Sequence, residues 1–151
     1  MSDEKVVIVS AKRTAIGSFQ GNLESIKATA LGSTVIKQNI DDVKIDPQDI
    51  DETIMGCVLP AGLGQAPARQ AAIGAGIPSS SGATTINKMC GSGMKSIMFG
   101  HDSIKAEQNK VVIAGGIENM TNAPYILSKV RKGIRMGHSE VKDHMFLDGL
   151  E

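Results

Sequence analysis

The sequence is poor in aromatic residues: its 151 residues include one Tyr, three Phe and no Trp. The stacking platforms that bind single-stranded nucleic acids are built from such side chains, so their scarcity argues against that function. Charge points the same way, because 16 Lys and Arg are balanced by 16 Asp and Glu. A chain without net charge lacks the basic field that gathers nucleic acid or anionic lipid. We therefore expect neither a nucleic acid nor a membrane surface as a partner.

Cysteine is also scarce, since Cys57 and Cys90 are the only two. The start, MSDEKVVIVSAKRT, is typical of neither a secretory signal nor a transit peptide, because it carries acidic residues and only four consecutive apolar ones. We therefore expect a cytoplasmic chain with two free thiols rather than a disulfide. Neither the C-x-x-C nor the H-E-x-x-H spacing occurs, and no apolar run approaches the length of a membrane span. The sequence thus predicts no metal cofactor and no membrane segment.

Short apolar runs rich in β-branched residues alternate with stretches of helical periodicity. Runs of this kind are typical of parallel strands that are buried on both faces. They predict strands at 6–10, 52–58, 83–86 and 111–114 and helices at 25–38, 67–75 and 91–107. After residue 120 the pattern weakens, and a single short helix is predicted at 139–147. The order indicates an α/β fold, βαβαβαβ, with a mostly parallel sheet.

The third predicted helix carries one apolar stripe, formed by Met94, Ile97, Met98 and Ile104. Spacings of three and four residues place these side chains on one side of a helix. We therefore expect this stripe to be the buried face of the helix.

Cys90 lies where the strand-like run ATTIN gives way to the third predicted helix. Unpaired N–H groups and the helix dipole stabilise a thiolate at such a position, and the thiolate is the form that attacks carbonyl groups. Gly91 and Gly93 leave room for a substrate, and the N–H of Cys90 is a candidate donor to an oxyanion. Against this, a small buried residue before a packed helix needs no chemistry. Position alone leaves both interpretations open.

Other polar residues favour structural interpretations. Cys57 lies in an apolar strand and is predicted to be a core residue. His101 lies about 16 Å from Cys90 along the helix axis, which is too far for it to act as the base, so it is predicted to be a core or boundary residue. The turns PAGLGQAP and IAGGIEN follow strands, as ligand-binding turns in α/β proteins do, but match no phosphate or dinucleotide motif. The basic stretch SKVRKGIR is either a solvated segment or, facing a cleft, a site for the phosphates of a nucleotide-bearing substrate.

Five ordered stretches resemble the N-terminal part of thiolases, and they are most similar to acetyl-CoA acetyltransferases of the biosynthetic type. They are VVIVSAKRTAIGSFQGNL, MGCVLPAGLGQAPARQAAIGAGIP, TTINKMCGSGMKSI, VVIAGGIENMTNAPY and KDHMFLDGL. The resemblance covers essentially the whole chain. It implies a layered α/β domain over residues 1–120 and, over 121–151, the start of the loop region that binds CoA.

The resemblance also implies an activity and its residues. Cys90 would take an acyl group from one acyl-CoA as a thioester, and a second acetyl-CoA would then attack that thioester to give acetoacetyl-CoA, or the reverse. The backbone N–H of Cys90 would help to hold an oxyanion. Leu150 matches a position near the pantetheine channel. The implied setting is fatty acid metabolism in a dimer or tetramer of identical chains, with CoA thioesters as substrates and no further cofactor.

The family's second half supplies a Gly-His-Pro histidine, an Asn-Glu-Ala-Phe segment and a Cys-x-Gly-Gly-Gly cysteine, and none of these motifs occurs here. The resemblance therefore predicts that this chain alone is inactive. Three alternatives stay open: the first part of a degradative 3-oxoacyl-CoA thiolase, a non-catalytic module that binds acyl-CoA or lipid, and a structural half that pairs with its missing part.

Overall fold

A three-stranded parallel sheet forms the centre of the computed structural model, which describes residues 5–151. Its strands, in the spatial order β2-β1-β3, are β1 Glu52–Gly56, β2 Gly82–Ile86 and β3 Val112–Gly116. The register pairs Gly56 with both Ile86 and Gly116, so the three strands end level with one another. The α/β class and the parallel sheet predicted from the sequence are confirmed.

The three main helices are α1 Ala28–Val43, α2 Pro67–Gly74 and α3 Ser92–Lys105, of which α2 and α3 pack on this sheet. α2 packs on β1 and β2 and also against α1, whereas α3 packs on β1 and β3. The α1–α2 contact is close because α2 buries alanines, of which Ala68 and Ala71 are fully inaccessible. The core joins these elements and includes Ile36, Ile40, Ile50, Met55 and Ile117.

The chain after β3 forms a separate small sheet. In it β4, Tyr125–Leu127, pairs in antiparallel fashion with β5, Val141–Asp143, and a π-helical turn follows at Phe146–Leu150. The helix predicted at 139–147 is therefore wrong for residues 139–143, and helical conformation begins only at residue 144. Pairing with β4 outweighs the weak helical pattern of residues 141–143, because a strand depends on its cross-strand partner more than on local propensity.

The strand predicted at 6–10 is also wrong. These residues form no strand, and Val7, Ile8 and Val9 are each about 70% exposed. A β-branched run needs a neighbouring backbone to complete its hydrogen bonds. In the described part of the chain β2 and β3 each pair only with β1. The order of helices and strands up to β3 is therefore αβαβαβ, without the first strand of the predicted βαβαβαβ. The first four residues of the predicted 1–120 domain lie outside the described residues.

The remaining elements agree with the sequence patterns, apart from their ends. The first helix begins three residues later and ends five residues later than the predicted 25–38, while the ends of the other main helices and strands lie within two residues of prediction. None of the helices in residues 5–151 has the length and hydropathy that crossing a membrane requires.

The face of α3 that the sequence predicted to be buried is the exposed one. Met94, Ile97 and Met98 are 46 to 66% exposed, and of the predicted stripe only Ile104, in the last turn, is half-buried. The helix instead turns its smallest residues to the sheet, and a Cβ at Gly100 would lie 3.1 Å from Val112 Cγ1. The buried positions of α3 are Ser92, Ser96 and Gly100. Because small side chains let a helix approach a sheet closely, burial follows size here rather than hydrophobicity.

Candidate active site

The chemically active side chains follow the carboxyl ends of the three parallel strands. Cys57 comes directly after β1, the segment with Cys90 comes after β2, and Glu118 comes two residues after β3. Parallel strands present these ends at one edge of the sheet, which is where open α/β sheets bind their ligands. The fold therefore gathers at one edge three groups that are far apart in the sequence.

Two glycines at this edge determine where α3 begins. A Cβ on Gly56 would lie 2.5 Å from the Cβ and carbonyl carbon of Ser92, and a Cβ on Gly116 would lie 3.3 Å from the Cα of Gly93. Real Cβ atoms do not approach other atoms within 3.0 Å. The first turn of α3 can rest directly on the ends of β1 and β3 because these strands end in glycine.

Cys90 is exposed and lies two residues before the first residue of α3. The five residues between β2 and α3 together with Ser92, numbers 87–92, are called the Cys90 turn below. In it Met89 has a φ of 49°, a left-handed conformation that costs a residue with a Cβ about 1 kcal/mol or more. No side chain caps the start of α3. A thiol that precedes an uncapped helix start and is open to solvent has the setting that a cysteine nucleophile requires.

Side chains stabilise the Cys90 turn from both of its ends. The Oδ1 of Asn87 accepts a hydrogen bond of 2.8 Å from the N–H of Met89. The hydroxyl of Ser92 accepts one of 2.9 Å from the N–H of Lys88 and donates one of 2.6 Å to the carbonyl of Met89. The strained residue before Cys90 is thus restrained at both its N–H and its carbonyl group.

Cys57, in contrast, is 1% exposed, as predicted for a core residue. Burial, and after it the nearby charge of Glu118 and the hydrogen bond to that carboxylate, raise the pKa of the Cys57 thiol to about 12. The sulfur lies 3.7 Å from Oε1 of Glu118 and donates to it. Cys57 is therefore a protonated thiol at neutral pH and is unsuited to attack a carbonyl group.

Glu118 is a residue that the sequence patterns did not single out, although it lies in the Gly-rich turn IAGGIEN. Its carboxylate accepts hydrogen bonds of 2.8 and 3.1 Å from the backbone N–H groups of Val58 and Leu59. The available signal was an acidic residue just after an apolar strand, because carboxylates pair readily with backbone N–H groups left free by a turn. Glu118 ties the segment after β1 to the end of β3.

Leu150 ends the π-helical turn and is 56% exposed. This turn packs on the segment held by Glu118, since a Cβ on Gly149 would lie 3.1 Å from Cδ2 of Leu59. Two residues before this turn, the buried His144 places its Nδ1 2.6 Å from Oδ2 of Asp148, which lies within the turn. The fold thus brings the neighbourhood of Leu150 to the edge that carries Cys90, while a place for Leu150 beside a pantetheine channel stays a prediction.

His101 is not the core or boundary residue that the sequence predicted. Its side chain is 53% exposed, and its Nδ1 lies 3.1 Å from Asp102. The residue lies on an outward side of α3 because the small residues of that helix face the sheet. Within residues 5–151 no cluster of three or more His, Cys, Asp or Glu residues is arranged to hold a metal ion.

The basic stretch lies in the loop between β4 and β5. Lys129, Arg131 and Lys132 line an open cleft together with Leu127 and Val130. Of the two interpretations left open by the sequence, this geometry is compatible with either a solvated segment or a site that anions can reach.

The two thiols are expected to differ sharply in reactivity. At neutral pH, iodoacetamide should alkylate Cys90 and leave Cys57 unlabelled, because Cys57 is buried and its pKa of about 12 leaves only a trace of thiolate. Peptide mass spectrometry of the folded chain measures the two sites separately. The same chain in denaturant is the control and should label at both. Equal labelling of the two cysteines in the folded chain would contradict this assignment.

The amino-acid sequence of this chain matches a known protein family. The family model described as the thiolase N-terminal domain matches residues 6–151. The chain is 50% identical over 147 residues to an acetyl-CoA acetyltransferase of Pseudomonas aeruginosa, an alignment that covers 97% of this chain and 37% of that protein. It is 53% identical over 145 residues to one of Escherichia coli, covering 95% of this chain and 37% of the relative. Acetyl-CoA acetyltransferase 2 of Arabidopsis thaliana is 50% identical over 145 residues, with 96% and 36% covered. The chain spans little more than a third of the length of these relatives.

Proposed function

Because the chain belongs to the thiolase family, as its N-terminal domain, we propose that it supplies the nucleophile of an acetyl-CoA C-acetyltransferase. The proposed acyl acceptor is Cys90. The observation that carries this proposal is the contrast between the two thiols: Cys90 is exposed just before the start of α3, whereas Cys57 is buried with a pKa of about 12. The names of the relatives support acetyl-CoA as the substrate.

In the first proposed step, the thiolate sulfur of Cys90 attacks the carbonyl carbon of acetyl-CoA. The negative charge passes to the thioester oxygen, where the backbone N–H of Cys90 is the proposed donor. The bond between the acetyl carbon and the sulfur of CoA then breaks, and CoA leaves as a thiolate that takes a proton from solvent. A thiolate suits this exchange because it both attacks a thioester and leaves from one.

The second proposed step joins the two acetyl units. The α-carbon of another acetyl-CoA gives up a proton to a base, and the resulting carbanion attacks the carbonyl carbon of acetyl-Cys90. The carbon–sulfur bond to Cys90 breaks, and the products are acetoacetyl-CoA and the free thiolate. The family motifs that supply this base and its acid are absent from the sequence. We therefore assign the first step to this chain and the second to the whole protein.

The proposal extends to the surroundings of the site. Residues 1–120 form the nucleophile domain and 121–151 the beginning of the region that binds CoA, with Leu150 near the pantetheine. The open cleft beside Lys129, Arg131 and Lys132 supports a contact with the phosphates of CoA. The setting that we propose is the cytoplasm and an assembly of identical chains. The exposed apolar stripe of α3 supports association, because large uncovered apolar surfaces mark contact sites.

Incubation of the chain with excess acetyl-CoA tests the proposal. We expect one acetyl group on Cys90 by peptide mass spectrometry, and neither condensation nor thiolysis in a coupled assay of CoA release. Cys90→Ala should remove the acetyl group, while Cys57→Ala, which alters the other cysteine, should leave it in place. Sustained turnover above the Cys90→Ala control would refute the inactivity of the chain, and an unmodified Cys90 would refute its role as acceptor.

A further inference from the structure

We propose that Asn87 and Ser92 are positioning residues for acyl transfer, because their side chains hold the Cys90 turn in the conformation that presents the thiol. The inference rests on the proposed function of Cys90 and extends it to two polar side chains with no part in the bond-forming steps. Neither side chain is proposed to contact the substrate. They act on the reaction through the backbone on either side of Cys90.

The hydroxyl of Ser92 makes its hydrogen bonds within the Cys90 turn. Ser92 is 4% exposed, and its oxygen accepts from the N–H of Lys88 at 2.9 Å while it donates to the carbonyl of Met89 at 2.6 Å. The backbone closes the same turn, since the N–H of Gly91 donates to the carbonyl of Lys88 at 3.1 Å. One buried hydroxyl therefore joins the first, the middle and the last part of the segment that carries Cys90.

Packing alone does not explain a serine at this position. The absence of a Cβ at Gly56 makes room for a small residue at 92, and alanine would meet that steric demand as well as serine. Burying a hydroxyl group costs free energy unless the group is hydrogen-bonded, so a buried serine is favoured here only because its hydroxyl has hydrogen-bond partners. Those partners all belong to the turn that leads to Cys90.

The turn needs such restraints because Met89 adopts a φ of 49° without being glycine. Left-handed backbone is sparsely populated by residues with a Cβ and persists where the surroundings enforce it. Asn87 binds the N–H of Met89 and Ser92 binds its carbonyl group. The carbonyl of Met89 also accepts a bond of 3.0 Å from the backbone N–H of Ser92, so the hydroxyl of Ser92 is the second restraint on it. If either side-chain bond is lost, Met89 is held less firmly, and the N–H and sulfur of Cys90, the next residue, move with it.

Amide hydrogen exchange tests the restraint directly and needs no substrate. Ser92→Ala should speed exchange at the Lys88 amide by about tenfold or more, and Asn87→Ala should do the same at the Met89 amide. Ser96→Ala is the matched control. Ser96 is also a buried serine on the sheet-facing side of α3, but its hydroxyl donates to the carbonyl of Ser92 at 3.0 Å and does not bond to residues 87–91. The control should leave exchange at both amides unchanged.

Two reactions of Cys90 then separate positioning from folding. Attack on a thioester requires the sulfur and the proposed oxyanion donor to be placed together, whereas alkylation by iodoacetamide requires only an exposed thiolate. We expect Ser92→Ala and Asn87→Ala each to slow acetyl transfer from acetyl-CoA to Cys90 by about tenfold. Alkylation should change by no more than about twofold. Ser96→Ala should leave both rates as in the unsubstituted chain.

Unchanged exchange at Lys88 in a folded Ser92→Ala chain, or acetyl transfer in it as fast as in Ser96→Ala, would overturn the inference. Should Ser92→Ala fail to fold, Asn87→Ala decides by the same two measurements, because Asn87 is exposed and its loss leaves the core intact. An unsubstituted chain that is not acetylated counts against the proposed function of Cys90. The exchange measurement then still decides whether the two side chains hold the turn.

Discussion

Replacing Gly56 with alanine is expected to lower the free energy of unfolding by about 3 kcal/mol or more, a large part of the stability of an ordinary domain. The new Cβ would lie 2.5 Å from the Cβ and carbonyl carbon of Ser92 and 2.7 Å from the backbone nitrogen of Gly93. These atoms belong to the first turn of a helix, so they cannot give way as the end of a flexible side chain can. Either α3 moves off the sheet edge or β1 bends, and both displace the Cys90 turn. Urea unfolding followed by circular dichroism measures the loss.

Gly115→Ala is the matched control for this substitution. Gly115 lies one residue before the end of β3 in the same sheet, but the atoms nearest to a Cβ there, two atoms of Met55, would be at an ordinary 3.6 Å. We expect a change of less than about 1 kcal/mol, because the cost of contact is small and alanine reduces the freedom of the unfolded chain. Unfolding of Gly56→Ala and Gly115→Ala at the same urea concentration would contradict the close approach of α3 to β1.

Replacing Glu118 with alanine is the second substitution with a large expected effect. The backbone N–H groups of Val58 and Leu59 would lose the carboxylate that accepts their hydrogen bonds. Bonds to charged acceptors are stronger than neutral ones, and partly buried donors left without a partner are costly, so we expect a loss of about 2 to 4 kcal/mol. The same urea titration measures it. Glu140→Ala is the control, because the Glu140 side chain is 84% exposed and faces Lys142 only at 3.7 Å. That pair should contribute less than about 1 kcal/mol.

The Glu118 substitution should also change the behaviour of Cys57 with pH. In the folded chain burial, then the charge of Glu118, raises the pKa of Cys57 from 9.0 to about 12. A raised pKa stabilises the fold fully below pH 9, and this contribution is lost as the pH rises from about 9 towards 12. Without the carboxylate the pKa of Cys57 falls, so the loss should span a narrower range of pH. Alkylation of Cys57 at alkaline pH should become faster. An unaltered alkaline profile would show that Glu118 does not act on the thiol.

The fold could be predicted from the sequence where the pattern is local. The β-branched runs at β1 and β3, and the small residues of α2, predicted those elements with only small errors at their ends. The run at residues 6–10 has the same local character, but its strand is absent because no described backbone pairs with it. The prediction that the apolar stripe of α3 is buried was wrong for a related reason. Periodicity identifies a helix with one apolar side, yet it cannot say whether the sheet will meet that side or the side with Ser92, Ser96 and Gly100.

The candidate site, too, has features that could be predicted from the sequence and features that could not. The sequence placed Cys90 at a helix start and Cys57 in the core, since both positions follow from their neighbours along the chain. The structure decided that Cys90 is exposed there. Glu118 escaped prediction because its partners, Val58 and Leu59, are about sixty positions away and are brought to it only by the parallel pairing of β1 and β3. The bonds of Ser92 are local in sequence, but they depend on a left-handed Met89 that no pattern announces.

By itself, then, the sequence determined the α/β class, the order of most elements, the family resemblance, the place of Cys90 at a helix start and the place of Cys57 in the core. All of these depend on residues near one another in the chain or on ordered motifs. The tertiary structure alone decided which face of α3 is buried, that residues 6–10 form no strand among the described residues, and that Glu118 joins the ends of β1 and β3. The physical reason is that burial and hydrogen bonding depend on what lies across the contact. The side chain of Gly56 is a single hydrogen atom. In the fold, the absence of a Cβ there leaves the space in which the helix after Cys90 begins.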